Sequence, residues 1–387
     1  MGAKNKFDLI VVGGGVMGTF HAYHALKKGL KVALFEKDKE PRSATVRNFG
    51  MVVPSGMSSK WQKYGIKSLE IYKELQSKVD LTIRECGQVY IASNEEEMTL
   101  INELHAINQR NNYPSTLLNT EEVLSRYPRI NPGYALGGLF FPEEVLVEPR
   151  EMIHRLQEYL VSEMGLEVHI HQLVKKCEVD GKSVKIVTAA GDKFTATHAI
   201  VANGSDFQTL FPEIFAKSDI DVVKLQMLQT AAQPEDFKLP SGVLSGFSIR
   251  RYEAFEECPS FHAIKGKEDD ESLAKKWGVN ILFKQALDGS IVIGDSHEYA
   301  SVKDAADLGF DNHDNINNYM LEEAKKIYDL PTYDIEKRWV GIYSQTKDHG
   351  LFEQTIDGRI HIVTAIGGKG MTVSAGYSEE KIASLEF

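Results

Sequence analysis

Residues 7–36 read FDLIVVGGGVMGTFHAYHALKKGLKVALFE, and this stretch decides the fold. An apolar run at residues 7–12 predicts a buried strand, and residues 16–28 predict a helix that ends at Gly29. A second apolar run at residues 32–35 predicts another strand, which Glu36 follows directly. Strand, glycine-rich turn, helix and strand in this order are typical of a βαβ unit with parallel strands.

The glycines of the turn predict a nucleotide site. Gly13, Gly15 and Gly18 fit the pattern G-x-G-x-x-G. In that pattern the first glycine makes the tight turn, the second lets the backbone approach a pyrophosphate, and the third lets the helix pack on the sheet. The helix N-terminus then points its amide groups at the pyrophosphate. The alternative is a glycine-rich turn in an ordinary α/β protein.

Glu36 narrows the choice of nucleotide. It lies 18 residues after Gly18, close to where a carboxylate accepts hydrogen bonds from a ribose diol. The same carboxylate would repel a 2′-phosphate, which disfavours NADP. FAD and NAD both remain open at this point.

Composition excludes several classes of protein. The chain has 387 residues, 42% of them hydrophobic, and a net charge of −11 without a long basic run, so a nucleic-acid partner is not expected. The longest apolar runs are strand-length, far below the roughly 20 residues of a membrane span, and the early first strand leaves no room for a signal peptide. Cys86, Cys177 and Cys258 lie far apart, which predicts three buried thiols and a cytoplasmic protein.

The chain alternates between two styles of sequence. Pro149 at its start and Gly165 after its end predict a helix at residues 149–164. A strand at 167–171, hairpin turns at 180–181 and 191–192, and a buried strand at 199–202 are predicted to follow. Residues 222–337 instead favour alternating strands, among them 278–283 and 290–293. We therefore predict an α/β protein in which a Rossmann-like nucleotide-binding domain (1–85, 146–221 and 338–387) is interleaved with an α+β, antiparallel-sheet substrate domain (86–145 and 222–337). A nicotinamide dehydrogenase usually keeps its Rossmann unit contiguous. Interleaving, with a final strand, glycine-rich loop and helix, is the pattern of flavoproteins.

Motifs along nearly the whole chain resemble the D-amino-acid oxidase superfamily, in its glycine-oxidase and sarcosine-oxidase branch. They are VVGGGVMG with Glu36, RNFG, EPREMIHRL, VKKCEVDG, AIVANGS, DGSIVIGDSHEY, RWVGIYSQTKD and IVTAIGGKGMTVSAGYSEE. More narrowly, RNFGM, GDSHEY and GGKGM look like a subfamily often encoded beside phosphonate-degrading enzymes. That narrower resemblance implies aminophosphonate substrates such as 2-aminoethylphosphonate or its N-methylated forms.

The resemblance implies FAD as the cofactor and assigns the residues that would hold it. The first glycines and Glu36 would hold the ADP half, the backbone of Val174 would meet the adenine, and the C-terminal glycine loop would line the pyrimidine end of the flavin. The predicted FAD-binding residues are Gly13, Gly15, Val16, Met17, Gly18, Glu36, Lys37, Arg42, Ser43, Thr45, Arg47, Asn48, Val174, Asn203, Gly204, Gly341, Gly367, Gly368, Lys369, Gly370, Met371 and Thr372.

Three positions depart from the family pattern. Sarcosine oxidases attach flavin to a cysteine near the position of Gly341, so FAD is expected to be non-covalent here. The same branch has an oxygen-activating lysine where this chain has Val292, which weakens an oxidase assignment. Amino-acid oxidases carry a carboxylate-binding arginine at about Tyr343, so the substrate anion is expected to be bound differently or not to be an α-carboxylate.

The implied reaction is oxidation of the carbon–nitrogen bond of a small anionic amine by hydride transfer to flavin N5, giving an imine that hydrolyses. The helix N-terminus after the loop 367–370 would stabilise negative charge on the reduced flavin. The substrate anion needs a cationic side chain, for which Arg47, Arg251, Arg338 and Lys369 are candidates. The predicted catalytic residues are Lys369, His297, Tyr343, Arg47 and Arg338.

Several of these candidates have an alternative interpretation that does not involve the substrate. Arg47 could bind the FAD pyrophosphate, Arg250 and Arg251 could form surface ion pairs, and His297 could be a hydrogen-bonded structural histidine. His169 and His171 alternate on a predicted strand without a third ligand, so no metal site is predicted. Oxygen or another electron acceptor would reoxidise the flavin. The alternative functions are a non-catalytic flavin-binding sensor or scaffold and an NAD-linked dehydrogenase.

Overall fold

Two large β-sheets and a small two-stranded sheet, with helices packed around them, form the described part of the protein. A computed structural model describes residues 5–348 and 350–387. The strands are β1 (Lys6–Val12), β2 (Val32–Phe35), β3 (Met51–Val52), β4 (Gln88–Ala92), β5 (Thr116–Asn119), β6 (Gly137–Phe141), β7 (Val145–Leu146), β8 (Glu167–His169), β9 (Val174–Asp180), β10 (Ser183–Thr188), β11 (Lys193–Val201), β12 (Ile220–Ala232), β13 (Gly242–Leu244), β14 (Leu282–Gln285), β15 (Ser290–Gly294), β16 (Glu298–Ser301), β17 (Ile335–Thr346), β18 (Phe352–Ile356) and β19 (Ile360–Thr364).

The helices range from single turns to more than four turns. They are α1 (Val16–Lys27), α2 (Ser59–Gln76), α3 (Glu95–Arg110), α4 (Thr120–Arg126), α5 (Pro149–Met164), α6 (Pro212–Phe215), α7 (Gly246–Ile249), α8 (Glu253–Glu256), α9 (Phe261–Lys265), α10 (Leu273–Lys276), α11 (Asp314–Ile327) and α12 (Gly370–Ala383). Short 3-10 turns lie at Ala44–Val46, Pro54–Gly56, Val302–Leu308 and Gly367–Lys369.

The first sheet positions the nucleotide site. Its strand order is β18-β19-β11-β1-β2-β8, with β10 and β9 attached to β11. The strands β19, β11, β1, β2 and β8 run parallel, so their carboxyl ends meet at one edge of the sheet. Leu9 and Val11 pack in one apolar cluster while Ile10 and Val12 pack in another, because β1 is covered on both faces.

The second sheet has nine strands within the described residues and is mostly antiparallel. Its order is β16-β12-β15-β14-β13-β4-β6-β5, and β17 also pairs with β12. The chain enters this sheet at β4, leaves it after β6 and returns at β12. The predicted fold class is therefore confirmed. Strand β17 spans the predicted domain boundary at residue 338, and the domain boundaries stay a prediction.

Capping residues explain several helix ends. Asn119 and Glu122 form a capping box at the start of α4. Helix α5 starts with Pro149 and ends at Gly165 in the left-handed conformation, as the sequence predicted. Two predicted strands are shifted in the structure: the strand predicted at 167–171 ends at His169, and the one predicted at 278–283 begins only at Leu282.

Candidate functional site

A cavity of about 1010 Å³ lies along the carboxyl edge of the first sheet and continues beneath the second sheet. Its walls include the loops that follow β1, β2, β11 and β19, together with parts of β12, β17 and the segment that joins β15 to β16. We call the half beside β1 and β2 the cofactor end and the half beside β16 and β17 the substrate end. The volume suits an elongated dinucleotide together with a small second molecule.

Close contacts between backbone segments, which only glycine permits, shape the cofactor end. Gly13 has φ +105°, and a Cβ there would lie 2.3 Å from the carbonyl oxygen of Ala202. A Cβ on Gly18 would lie 2.0 Å from the carbonyl oxygen of Gly13. At Gly15 a Cβ would meet only Thr45 Oγ1, at 3.1 Å, so the backbone faces the cavity there. These contacts support the role that the sequence gave to each glycine.

Polar atoms at the cofactor end are suited to a ribose and a phosphate group. Glu36 Oε2 accepts a hydrogen bond from the Gly14 amide at 2.9 Å, which fixes the carboxylate at the end of β2. The Val16 amide donates to Thr45 Oγ1 at 2.9 Å, so the loop after β2 covers the N-terminus of α1. The buried Oδ1 of Asn203 has no hydrogen-bond partner among the described residues. The residues present therefore fit an FAD molecule.

The predicted cofactor residues come together. All of them line the cavity except Gly18, which instead lets α1 pack closely on the turn after β1. The described lining residues include no cysteine, and a Cβ on Gly341 would lie 2.7 Å from Leu225 Cδ1. Both observations support non-covalent binding, which stays a prediction.

Four of the five predicted catalytic residues line the cavity, namely Lys369, His297, Tyr343 and Arg47. Arg338 does not, and its side chain is exposed. Along β17, side chains alternate between the two faces, and Arg338 lies an odd number of residues from Gly341 and Tyr343. Its side chain therefore points to the face opposite theirs.

Lys369 and Arg47 make contacts that the sequence did not predict. Lys369 is only 5% exposed, pairs with Glu253, and lies 5.7 Å from the ring centre of Trp61. Arg47 donates from Nε to the Arg42 carbonyl at 2.8 Å and from Nη1 to a backbone carbonyl of β17 at 3.0 Å. Arg47 thus pins the loop that follows β2 against the second sheet.

Arg251 lies at the substrate end, in the short link between α7 and α8. Its Nη2 donates to Tyr299 Oη at 2.7 Å. Within the described parts of the chain it makes no other hydrogen bond and no ion pair within 4 Å. Its neighbour Arg250 differs, because it pairs with Glu96, Glu97 and Glu268. The interpretation as an ion-pair residue is therefore correct for Arg250 but not for Arg251.

His297 is held in one orientation as a neutral ring. Its Nδ1 lies 2.8 Å from the Gly278 carbonyl oxygen, which assigns the proton to Nδ1 and leaves Nε2 as an acceptor. Burial, together with the positive charge of Arg251, lowers the pKa of His297 well below its usual value. The ring stacks against Tyr299 at 6.2 Å and meets the edge of Tyr343 at 6.3 Å.

Asp295 is a site residue that the sequence analysis missed. It lines the cavity, and its Oδ2 lies 3.8 Å from His297 Nε2. Burial raises the pKa of Asp295 to about 7, and the positive charge of Arg251 opposes that rise. The motif GDSHEY held the signal, because Asp295, His297 and Tyr299 alternate and all three line the cavity whereas the residues between them do not.

Neither a cluster of potential metal ligands nor a helix able to span a membrane occurs in the part of the chain that the structure describes. No group of three or more potential metal ligands occurs within residues 5–348 and 350–387. His169 instead stacks on Phe35, with ring centres 4.5 Å apart. Across the same residues, every helix is too short or too polar to cross a bilayer.

Comparisons with known proteins agree with this geometry. The glycine oxidase of Bacillus licheniformis is 27% identical over 220 residues, covering 54% of this chain and 58% of that protein. The glycerol 3-phosphate dehydrogenase of Caloramator mitchellensis is 21% identical over 380 residues, covering 96% and 72%. The crystal structure of glycine oxidase from Geobacillus kaustophilus superimposes with a TM-score of 0.77 at 17% identity, covering 99% and 96%. The chain spans little more than half the length of the glycine oxidases it matches.

A family match extends over almost the whole sequence. The model of the DAO family, described as FAD dependent oxidoreductase, matches residues 8–381. That span includes both ends of the cavity and every predicted site residue. The protein therefore belongs to the DAO family of FAD dependent oxidoreductases, and FAD is its cofactor.

Proposed function

We propose that the protein oxidises the carbon–nitrogen bond of a small amine that carries an anionic group. The product is an imine, which water hydrolyses. Bound FAD supplies the acceptor for the hydride that leaves the carbon beside the nitrogen. Residues of the chain bind the anion, orient the amine and exclude water from the reacting atoms.

Arg251 is the observation that carries the proposal. A guanidinium in a partly enclosed cavity needs an anionic partner, because desolvating it without one is costly. Arg251 donates one hydrogen bond to a tyrosine and keeps its other N–H groups for a ligand. Its planar fork suits a carboxylate or a phosphonate. The substrate is therefore an anion small enough to share the cavity with FAD.

The walls around Arg251 are suited to hold a small molecule in one orientation. Tyr252 and Tyr343 face the same space, and burial raises the pKa of both hydroxyl groups, so they stay protonated donors. His297 contributes a neutral acceptor nitrogen. Together these groups give an anion two kinds of donor and an amine one kind of acceptor.

The cofactor end supports a two-electron reaction. The 3-10 turn Gly367–Lys369 leads directly into α12, and the first backbone amides of a helix, which have no partner within the helix, are suited to negative charge on a reduced flavin. Lys369 adds a buried positive charge beside this turn, although Glu253 compensates part of it. The chain thus offers electrostatic stabilisation where reduction of the cofactor would need it.

Aminophosphonates are the finer substrate class within this proposal. The support is the subfamily resemblance and the tyrosine at position 343, where amino-acid oxidases carry an arginine. Arg251 enters the cavity from the α7–α8 link and not from β17, and its guanidinium can bind a tetrahedral phosphonate as well as a carboxylate. Oxygen or another acceptor would reoxidise the cofactor in the cytoplasm.

A second candidate function is oxidation of a hydroxyl group on a small anion. It is favoured by the match to a glycerol 3-phosphate dehydrogenase over 96% of this chain. Arg251 would bind a phosphate ester in the same way as a phosphonate. The two functions differ in the atom that is oxidised, carbon bearing nitrogen or carbon bearing oxygen.

An anaerobic flavin-reduction screen tests the proposal. The purified protein is mixed with glycine, sarcosine, D-amino acids, 2-aminoethylphosphonate and its N-methyl form, and separately with glycerol 3-phosphate and 2-hydroxy acids. We expect anionic primary or secondary amines to bleach the visible absorbance of the flavin. Bleaching by the hydroxyl compounds alone would replace the first function with the second. Bleaching by none of them would favour a flavin-binding sensor or scaffold.

A further inference from the structure

We propose that Asp295 is a catalytic residue that binds the ammonium nitrogen of the substrate and takes one of its protons, while Arg251 binds the anionic group. This inference rests on the proposed amine function and deepens it. It assigns opposite charges at the substrate end of the cavity to the two ends of a zwitterionic substrate.

The backbone of Asp295 is fixed and its carboxylate is available to a ligand. The Asp295 carbonyl accepts a hydrogen bond from the Asn280 amide at 2.7 Å. The side chain is 13% exposed and lines the cavity. Its Oδ1 is buried and has no hydrogen-bond partner among the described residues. Because buried carboxylate oxygens are nearly always hydrogen-bonded, this oxygen calls for a donor from a bound molecule.

A second acceptor lies beside this carboxylate. Asp295 Oδ2 and His297 Nε2 are 3.8 Å apart, and the proton on His297 is committed to the Gly278 carbonyl. Two acceptors therefore face each other without a donor between them. A substrate ammonium has three N–H groups and can donate to both atoms at once. A hydroxyl group has only one and carries no charge to match the carboxylate.

The charges around Asp295 favour the same occupant. The groups that face it are Arg251 and Tyr252 from the α7–α8 link, His297 from its own segment and Tyr343 from β17. Burial keeps both tyrosines and His297 neutral near pH 7. Arg251 is thus the positive charge and Asp295 the negative charge, and a zwitterion neutralises both.

The proton transfer balances without a further reactant. The ammonium N–H bond breaks, its proton moves to a carboxylate oxygen of Asp295, and the electron pair stays on nitrogen as the lone pair of a neutral amine. That lone pair would form the carbon–nitrogen double bond when the neighbouring C–H bond breaks, and FAD, when bound, would supply the acceptor for the hydride that carries away the two electrons of that bond. Burial sets the pKa of Asp295 at about 7, which suits a base at neutral pH.

The test compares Asp295→Asn with Asp311→Asn, an exposed aspartate outside the cavity that serves as the matched control. Anaerobic flavin reduction by the amine found in the screen is measured from about pH 5.5 to about pH 9. The quantity compared is kred/Kd, the rate constant of flavin reduction divided by the dissociation constant of the substrate. In the wild-type protein, kred/Kd should fall as the pH drops through about 7, because Asp295 becomes protonated. We expect Asp295→Asn to lower kred/Kd at least about 10-fold and to remove that pH dependence. Asp311→Asn should match the wild type.

Binding of an analogue without nitrogen separates this role from a structural one. The probe is ethylphosphonate where the amine is 2-aminoethylphosphonate, or acetate where it is glycine, and its binding is followed by the shift of flavin absorbance. Because Arg251 remains, Asp295→Asn should bind the probe as tightly as the wild type or more tightly. Should the variant fail to fold, the wild-type protein alone gives the answer: as the pH rises through about 7, binding of the probe should weaken while amine reduction accelerates.

Three results would overturn the inference. The first is that Asp295→Asn has the same kred/Kd as the wild-type protein and the same dependence of kred/Kd on pH. Another is an equal loss of probe binding and amine reduction, which would make Asp295 a support for Arg251. In the wild type alone, the contrary result is amine reduction and probe binding that respond in the same direction to pH. If no amine reduces the wild-type flavin, both the inference about Asp295 and the proposed function are wrong. The first two results would contradict the inference about Asp295 but not the proposed function.

Discussion

The two ends of the cavity are built from different parts of the chain. At the cofactor end, glycine turns and the N-terminus of α1 present backbone atoms from consecutive residues. At the substrate end, the α7–α8 link, the segment between β15 and β16, and strand β17 present the side chains of Arg251, Asp295, His297 and Tyr343. FAD is shared by the whole family, and main-chain atoms dominate the predicted FAD site, whereas the proposed substrate-binding groups are side chains that can change without altering the fold.

This difference predicts how each end responds to substitution. Changes at the cofactor end should weaken cofactor binding through steric conflict with the backbone. Changes at the substrate end should leave FAD bound and alter affinity, rate or pH dependence. Four substitutions sharpen that contrast, in addition to the one at Asp295.

Gly18→Ala should have the largest effect. The new Cβ would lie 2.0 Å from the Gly13 carbonyl oxygen, so the backbone of the turn must move. Overpacking of this kind costs roughly 1–3 kcal/mol, and we expect at least about 10-fold weaker FAD binding. The measurement is the flavin-to-protein ratio after purification, followed by titration of the apoprotein with FAD. Gly133→Ala is the control, because a Cβ there has no neighbour within 4 Å. Equal FAD content in both variants would contradict the close-packing argument.

Arg251→Met should weaken substrate binding and leave FAD content unchanged. Hydrogen bonds to a charged group contribute about 1.5–3 kcal/mol, so the substrate Kd should rise about 10- to 100-fold. The matched control is Arg338→Met, since that arginine is exposed outside the cavity. Stopped-flow flavin reduction at several substrate concentrations gives both constants. A larger effect at Arg338 than at Arg251 would show that the anion binds elsewhere.

Glu144→Gln should change the pH dependence of stability. Glu144 lies behind the substrate end, where its Oε1 accepts from the Ser55 amide at 2.7 Å and the Tyr113 hydroxyl at 3.1 Å. Burial raises its pKa from 4.5 to about 8. The folded state thus holds a proton that the unfolded state releases, and the stabilisation is lost as the pH rises from 4.5 to about 8.

Urea unfolding of both proteins at several pH values measures this effect. Between pH 7 and 8 the free energy of unfolding of the wild type should fall by about 1 kcal/mol more than that of Glu144→Gln. Asp295, whose pKa is about 7, titrates in the wild type and in Glu144→Gln alike and therefore cancels in the difference. The exposed neighbour Glu143, changed to Gln, provides the control. Parallel curves for wild type and Glu144→Gln would mean that Glu144 is ionised throughout.

Tyr299→Phe should have the smallest effect. It removes the hydroxyl that holds Arg251 Nη2 at 2.7 Å, but the ring is 47% exposed and water can replace the lost partner. A hydrogen bond of this kind contributes about 0.5–1.5 kcal/mol, so the substrate Kd should rise about 2- to 10-fold. The same stopped-flow measurement applies. A loss as large as that of Arg251→Met would assign Tyr299 a direct contact with the substrate.

The fold was predictable where the signal is local. Helix α5 begins at Pro149 and ends at Gly165 as predicted, because proline and glycine act through their own backbone angles. The strand predicted at 278–283 was misplaced at its start. Gly278 has φ +54°, and its carbonyl accepts from His297, so a contact with a distant segment bends the chain before β14 begins. Such a contact cannot be read from the neighbouring residues.

In the candidate site too, the sequence predicted some residues correctly, whereas others depended on tertiary structure. All the predicted FAD-binding residues but Gly18 line the cavity. Spacing in the sequence predicted the first glycines and Glu36, and the family resemblance implied the others. Among the arginines, the sequence predicted catalytic roles for Arg47 and Arg338, and the strand that carries Arg338 does approach the cavity. Only the register of β17 against β12 shows that its side chain faces away.

By itself the sequence determined a parallel βαβ unit, a dinucleotide site at its turn, and a chain that crosses twice between two sheets. These follow from residue spacing and backbone preference, which act over a few positions. Tertiary structure alone decided which charges line the substrate end of the cavity, because Arg251 and Asp295 lie more than forty residues apart in the sequence and reach the same cavity only in the folded chain. The physical reason is that burial and pairing of a charge depend on the whole set of neighbours, which no local stretch of sequence contains.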